Sequence, residues 1–235
     1  LGKTNEAIMI QNNQTNILPF EIKDCALIAL ATGKKAQNLR ELKDYLSTIS
    51  LDSIYYHFWG NLLRPRFDDP EYHNDFAIWS ANSLHDNVLA ERLAVIDPTE
   101  FQNLDELRSE IIEIIEERLD EIEYPLWTKR DMQFEFICSQ IIIFNTNKTI
   151  SKPVDFVTAI PQMSVGSIFY HFIDSRKRLS NAIDDFQNWL IGFGEKYHEL
   201  RLKINEIDPY FSTLTKIREQ IAIVFRNHFQ GELDA

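Results

Sequence analysis

Through most of this chain apolar residues recur at helical spacing. Leu39, Leu42, Leu46 and Ile49 line one stripe of a segment that opens at Asn38, with Glu41 three residues on as an Asn variant of the capping box. Leu104, Leu107, Ile111, Ile114 or Ile115 and Leu119 line a second stripe, opened by Asn103 with Glu106 three on. Leu214, Ile217, Ile221, Val224 and Phe225 line a third. The run SIYYHFWGNLL after Asp52 predicts another helix. A further one is predicted over about 74–96, closed by Asp97-Pro98 because the residue before a proline avoids the α region. FEIKDCALIALA (20–31) predicts an opening helix that ends at Thr32-Gly33 in the C-cap manner. FEFICSQIIIF (134–144) alone reads as strand as readily as helix; its counterpart at 20–31 reads as helix, so helix is assigned to both.

That counterpart exists because the chain repeats itself. Phe20-Glu21-Ile22 aligns with Phe134-Glu135-Phe136, and Ser53-Ile54-Tyr55-Tyr56-His57-Phe58 with Ser167-Ile168-Phe169-Tyr170-His171-Phe172, both at an offset of 114. Asp75-Phe76 and Trp79 align with Asp185-Phe186 and Trp189 at 110, Ile96-Asp97-Pro98 with Ile207-Asp208-Pro209 at 111, and Leu104 and Arg108 with Leu214 and Arg218 at 110. The fall in offset places about four extra residues of the first copy between Arg64 and Asp75. The reading is an all-α fold: a tandem duplication of a roughly five-helix unit, packed as a pseudo-symmetric helical pair. Its parts are an N-terminal arm (1–17), a first repeat (18–121), a linker (122–131) holding Pro125, a second repeat (132–229) and a short tail (230–235).

Composition narrows the class. Of 235 residues, 44% are hydrophobic and 12% aromatic, a globular content with little room for disorder beyond the ends. Cys25 and Cys138 have no zinc-type spacing and read as buried thiols in a reducing compartment. No stretch approaches the ~20 apolar residues of a membrane span, and the first 17 residues lack a signal-peptide core, so a cytoplasmic location and no membrane contact are expected. Net charge is -12 and uneven: residues 18–121 hold 10 basic against 21 acidic side chains, residues 132–229 hold 11 against 10. So acidic a first repeat repels phosphates, which makes nucleic acid an unlikely partner for it.

Polar residues kept in both copies mark candidate chemistry. Ser53, His57 and Arg64 recur as Ser167, His171 and Arg178, one polar stripe at spacings of 4 and 7. With Glu21, Asp75, Glu135 and Asp185 as partners the stripe reads first as a buried network that pins its helix; as an anion pocket, Arg64 would supply the fork and His57 would titrate beside it. A metal site from His57, Glu21 and Asp75 lacks ligand spacing, so no metal and no cofactor is expected. The insertion RPRFDDPEYH (64–73) offers a second site, with Arg64, Arg66, Tyr72, His73 and Ser53 as candidate ligand contacts. No GxSxG, P-loop or GxGxxG occurs, and seven glycines leave little for a phosphate-cradling loop.

Two stretches have relatives. Residues 156–179 (FVTAIPQMSVGSIFYHFIDSRKRL) resemble the helix-turn-helix of TetR-type repressors through Ser164, Val165, Gly166, Tyr170, His171 and Phe172, followed by Arg176-Lys177-Arg178. Pro161-Gln162-Met163 stands at the turn and the motif recurs in the acidic first copy, which reads as convergent helix packing. From Leu18 to Phe229 the strings DCALIALATGKKAQNLRELKD, SIYYHFWGNLLRPRFDDPEYHNDFAIW and LAERLAVIDPTEF resemble a bacterial and archaeal domain of unknown function. That resemblance implies a prokaryotic cytoplasmic protein and brings no activity, ligand or catalytic residue.

The expectation is therefore a non-catalytic adaptor or regulatory protein that binds a partner protein, itself, or a small anionic metabolite through the first repeat. The alternatives are an enzyme with His57 as acid or base and Arg64 and Arg66 as anion clamp, and a nucleic-acid regulator using Arg176 to Arg178.

Overall fold

The computed structural model describes residues 17–64, 71–179 and 182–233. It overturns the all-α helical bundle at its first element. Residues Phe20–Ala36 form a strand, β1, and Phe134–Ile150 form its antiparallel partner, β2. The pairing runs from Phe20 opposite Ile150 to Ala36 opposite Phe134, with Leu27 opposite Ile141 at its centre. Both segments assigned to helix are strand, and the protein is mixed α/β.

Each strand carries one bulge, which explains why simple alternation is hard to see in the sequence. Register shifts fall between Ile22 and Lys23 and between Ala31 and Lys35. Gly33 (φ +78°) and Asn147 (φ +58°) take the left-handed conformation at equivalent places, as the extra residues of such bulges do. Thr32 donates its hydroxyl to Phe136 O at 2.7 Å, and Thr146 donates to Ile22 O in the same way. Thr32-Gly33 is thus a bulge in a strand, not a helix C-cap.

The helices follow their apolar stripes more closely. α1 (Leu39–Leu46) starts at Asn38, whose Oδ1 accepts from Glu41 N at 2.9 Å while Glu41 accepts from Gln37 N at 2.8 Å; Leu39, Leu42 and Leu46 are buried. α2 (Leu51–Trp59) is capped by Ser50 and buries every residue from Ser53 to Trp59. The helix anticipated over 74–96 is two, α3 (Asp75–Asn82) and α4 (Asn87–Ala94). His85 (φ +57°) breaks it, and Asp86 restarts it by accepting from Leu89 N while held by Arg118 Nε at 2.8 Å. α5 (Leu104–Glu121) buries Leu107, Ile111 and Ile115.

The second repeat has the matching series: α6 (Phe156–Ala159), α7 (Val165–Ile168), a π-helical turn over Phe169–Asp174, α8 (Ser175–Arg178), α9 (Asp185–Ile191), α10 (His198–Asn205) and α11 (Leu214–Leu233). The strands, however, do not stay with their own helices. Phe134 of the second repeat stacks on Phe76 at 5.0 Å and touches His57 and Trp79, all of the first. Phe20 of the first stacks on Phe186 at 5.4 Å and touches His171 and Trp189 of the second. Trp79 donates its indole N–H to Met132 O at 2.9 Å, and Trp189 donates to Leu18 O at 2.7 Å. The two repeats exchange strands, so neither can bury its aromatic core alone. No helix among the described residues is long and apolar enough to cross a membrane.

Candidate functional site

The retained histidines sit where a strand of one repeat meets the helices of the other. His57 Nδ1 is 2.8 Å from Asp75 Oδ2, and its Nε2 accepts the backbone N–H of Ile137 at 3.1 Å. His171 Nδ1 is 2.8 Å from Asp185 Oδ2, and its Nε2 accepts from Lys23 N at 2.9 Å. An Nε2 that accepts an amide proton carries none itself, so the ring is the neutral tautomer with its proton on Nδ1, donated to the carboxylate. Each histidine reads one amide on the free edge of an exchanged strand, and its aspartate orients the ring.

Asp75 is buried. Burial raises its carboxyl, but hydrogen bonds from His57 and from Asn61 Nδ2 (2.5 Å), with the charge of Arg64, hold it below the ordinary aspartate value. A carboxyl lowered on folding stabilises the fold above its unfolded pKa, and that contribution is lost as pH falls through the folded value. Asp75→Asn should therefore flatten the acid limb of a stability-against-pH curve, read by denaturant midpoints between pH 6 and pH 3. An unchanged acid limb would remove this pair from the account.

Other candidates fall elsewhere. Glu21 and Glu135 are exposed and pair on the surface with Lys23 and Lys35, outside the histidine network. Ser53 is buried and its Oγ has no hydrogen-bond partner among the described residues, while Ser167 Oγ meets Ser164 Oγ at 3.1 Å. Tyr72 donates to Glu91 at 3.2 Å, 19 residues away on α4, and does not line the cavity described below. Arg66 lies outside the described residues. Among the described residues no group of three or more His, Cys, Asp and Glu could hold a metal ion.

The two retained arginines differ, and the sequence explains why. Arg178 donates Nε to Asp174 at 2.8 Å and Nη2 to Asp185 at 3.0 Å, a fully occupied guanidinium. In the first repeat the position of Asp174 is Gly60, and Asn61 takes the second oxygen of Asp75. Arg64 thereby lacks the hydrogen bonds to both carboxylates, and only its charge acts on Asp75. Among the described residues it forms no ion pair; it donates to the Tyr56 hydroxyl and lies over that ring.

Arg64 lines a cavity of about 240 Å³ between the end of α2 and the start of α11, whose wall is mainly apolar (Leu62, Leu63, Val165, Leu214) with Asn61, His73, Ser212, Thr213 and Thr215 as its other polar members. The equivalent crevice of about 400 Å³ between α8 and α5 holds Arg176 and Lys177 opposite Asn103. There the cations are engaged, Arg176 with Asp184 at 3.5 Å and Lys177 with Asp52 at 3.3 Å. The first turn of α5 also carries Asp105 and Glu106, which occupy its positive end, whereas the first turn of α11 has no acidic residue. Divergence of the repeats has left Arg64 at the first crevice without an ion pair among the described residues, where the second crevice holds its cations in ion pairs. Gly60 was the available signal for this, since it marks the lost partner of the retained arginine.

The segment that resembles a helix-turn-helix is largely inside the fold. Every residue from Gly166 to Ser175 is buried, so the face that would enter a DNA groove is inside the protein. Arg176, Lys177 and Arg178 all sit in ion pairs.

A family model described as a family of unknown function (DUF5752) matches residues 17–226. The chain belongs to this family. A solved structure, that of OrfY from Thermoproteus tenax, matches with a TM-score of 0.75 at 24% identity, covering 89% of this chain and 95% of that one, which shows a shared fold. No curated protein matches. For this member of the family, the residues themselves have to carry any functional reading.

Proposed function

We propose that this protein is a non-catalytic binding protein whose first repeat takes a small anionic metabolite in the cavity beside Arg64. The observation that carries this is the contrast between Arg178, held by two carboxylates, and Arg64, which forms no ion pair among the described residues and lines a cavity. Guanidinium groups recognise carboxylate or phosphate through paired N–H donors. Across the cavity, Ser212, Thr213 and Thr215 supply hydroxyls at the acid-free start of a 20-residue helix. His73 lines the same wall.

Against catalysis, both nitrogens of His57 are committed, one to Asp75 and one to the amide of Ile137. A general base needs a free nitrogen within reach of a substrate proton. Because the cavity is walled by both repeats, a bound anion would bridge them and report its presence as a change in how they pack, which suits a regulatory protein.

The test is a thermal-shift and calorimetric titration with inorganic phosphate, dicarboxylates and sugar phosphates. A ligand present at about 100 times its Kd stabilises by about 2.7 kcal/mol, a rise of several degrees in Tm. The reading expects at least one of these anions to give such a rise in the native protein and none in Arg64→Ala, with Arg64→Lys partly active. A shift that survives Arg64→Ala, or no shift with any anion, overturns it.

A further inference from the structure

The middle of the β-ribbon is both uncharged and open to solvent. In a chain of which 26% is charged, no Asp, Glu, Lys or Arg occurs between Asp24 and Lys34 or between Glu135 and Lys148. Residues paired across an antiparallel ribbon share a face, and so do residues two apart. The pairs Ala26–Ile142, Ile28–Gln140 and Leu30–Cys138, continued by Phe144, therefore lie on one face. Ile28, Leu30, Ile142 and Phe144 are 42%, 49%, 38% and 50% exposed; on the opposite face Leu27 and Ile141 pack on the core, while Ile143 beside them is 49% exposed.

Exposed strands in natural proteins are guarded by charges, prolines or a covering element. The middle of this ribbon has none of these devices. Elsewhere its edges are covered: His171 takes the amide of Lys23, and His57 that of Ile137. Among the described residues nothing covers the uncharged centre.

We infer that this face is the interface of a homodimer, covered by the same face of a second copy. Charge decides between a second copy and other occupants. A chain of net charge -12 repels itself everywhere except at a neutral surface, while a basic partner would find nothing on this face to pair with. Shape agrees, because the Leu27–Ile141 pair marks the pseudo-twofold axis of the ribbon, and position 28 of one strand corresponds to 142 of the other. The two halves of the face therefore offer a second copy equivalent apolar positions.

The experiment is sedimentation velocity on the full chain from about 1 to 100 μM, in low salt and in 0.5 M NaCl. The proposal expects a species of twice 27.6 kDa that persists or tightens in salt, as apolar contact between like-charged bodies should. Ile28→Lys with Ile142→Lys should raise the dimer dissociation constant at least about 100-fold, with unchanged circular dichroism, because both side chains are already exposed. Val88→Lys, on the exposed face of α4, should leave it unchanged. A monomer at 100 μM, a dimer indifferent to the ribbon lysines, or a ribbon that instead captures a different protein while the chain stays monomeric would each overturn the proposal.

Discussion

His57→Ala is expected to cost this protein on the order of 3 kcal/mol, from the lost hydrogen bond of a neutral ring to a carboxylate and a main-chain amide left without its acceptor. The change leaves Asp75 buried with Asn61 as its remaining hydrogen-bond donor, the Ile137 amide without its acceptor, and a gap against Phe76 and Phe134. His171→Ala removes the equivalent ring, but Asp185 keeps Arg178 at 3.0 Å. The second variant should therefore lose less, by roughly 1–2 kcal/mol. Chemical denaturation of the two variants side by side checks both sizes and their order. Equal losses would mean that Arg178 does not compensate; losses under about 1 kcal/mol for either would mean that the histidines do not hold the strands.

Gly166→Ala should be comparably damaging. A Cβ there would stand 2.3 Å from Asp24 Oδ1 and 2.4 Å from Cys25 O. The carboxylate can swing away at the cost of its bond to Cys25 N; the carbonyl belongs to β1 and moves only with the strand. Cys25 also donates its thiol to Gly166 O at 3.3 Å, and burial pushes that thiol up to about 12, so it stays protonated in place. Overpacking of this kind costs roughly 3 kcal/mol, about 6–12 °C in Tm for a chain of this size. Gly231→Ala near the end of α11, with nothing within 4 Å of the added methyl, should instead be neutral or slightly stabilising. A Gly166→Ala protein that melts with the native one would show that the strand is looser against α7 than described.

The sequence shows the repeat register because duplicated aromatic and polar positions stay in step at 114 and then 110. Capping residues such as Asn38, Asn74 and Asn103 mark helix starts because their chemistry is local. The strands are misread for the opposite reason. Alanines and leucines in DCALIALATGKKA favour helix by intrinsic propensity, and the bulges at Gly33 and Asn147 break the alternation that would have signalled a strand. Pairing with residues more than 100 positions away overrides that local preference. The β-branched run in FICSQIIIF was the better witness of the two copies, and assigning helix to it by analogy with the first copy carried the error across. The histidine–aspartate pairing is legible as a shared stripe, but the third member of each set is a main-chain amide 80 or 148 residues distant. Nothing in composition or spacing marks such a partner, so the strand exchange stays invisible until the fold is known.

Strand exchange is the feature from which the histidine latches and the ribbon both follow, and cutting the linker tests it most directly. Tyr124 in that linker is 74% exposed, so a protease site can be placed between Glu123 and Tyr124 without touching the core. After complete cleavage in native buffer, exchange of β1 and β2 predicts that the two halves elute together, keep the native circular dichroism, and part only in denaturant. Two halves that separate without denaturant, each still folded, would show that each repeat keeps its own strand and would contradict the account.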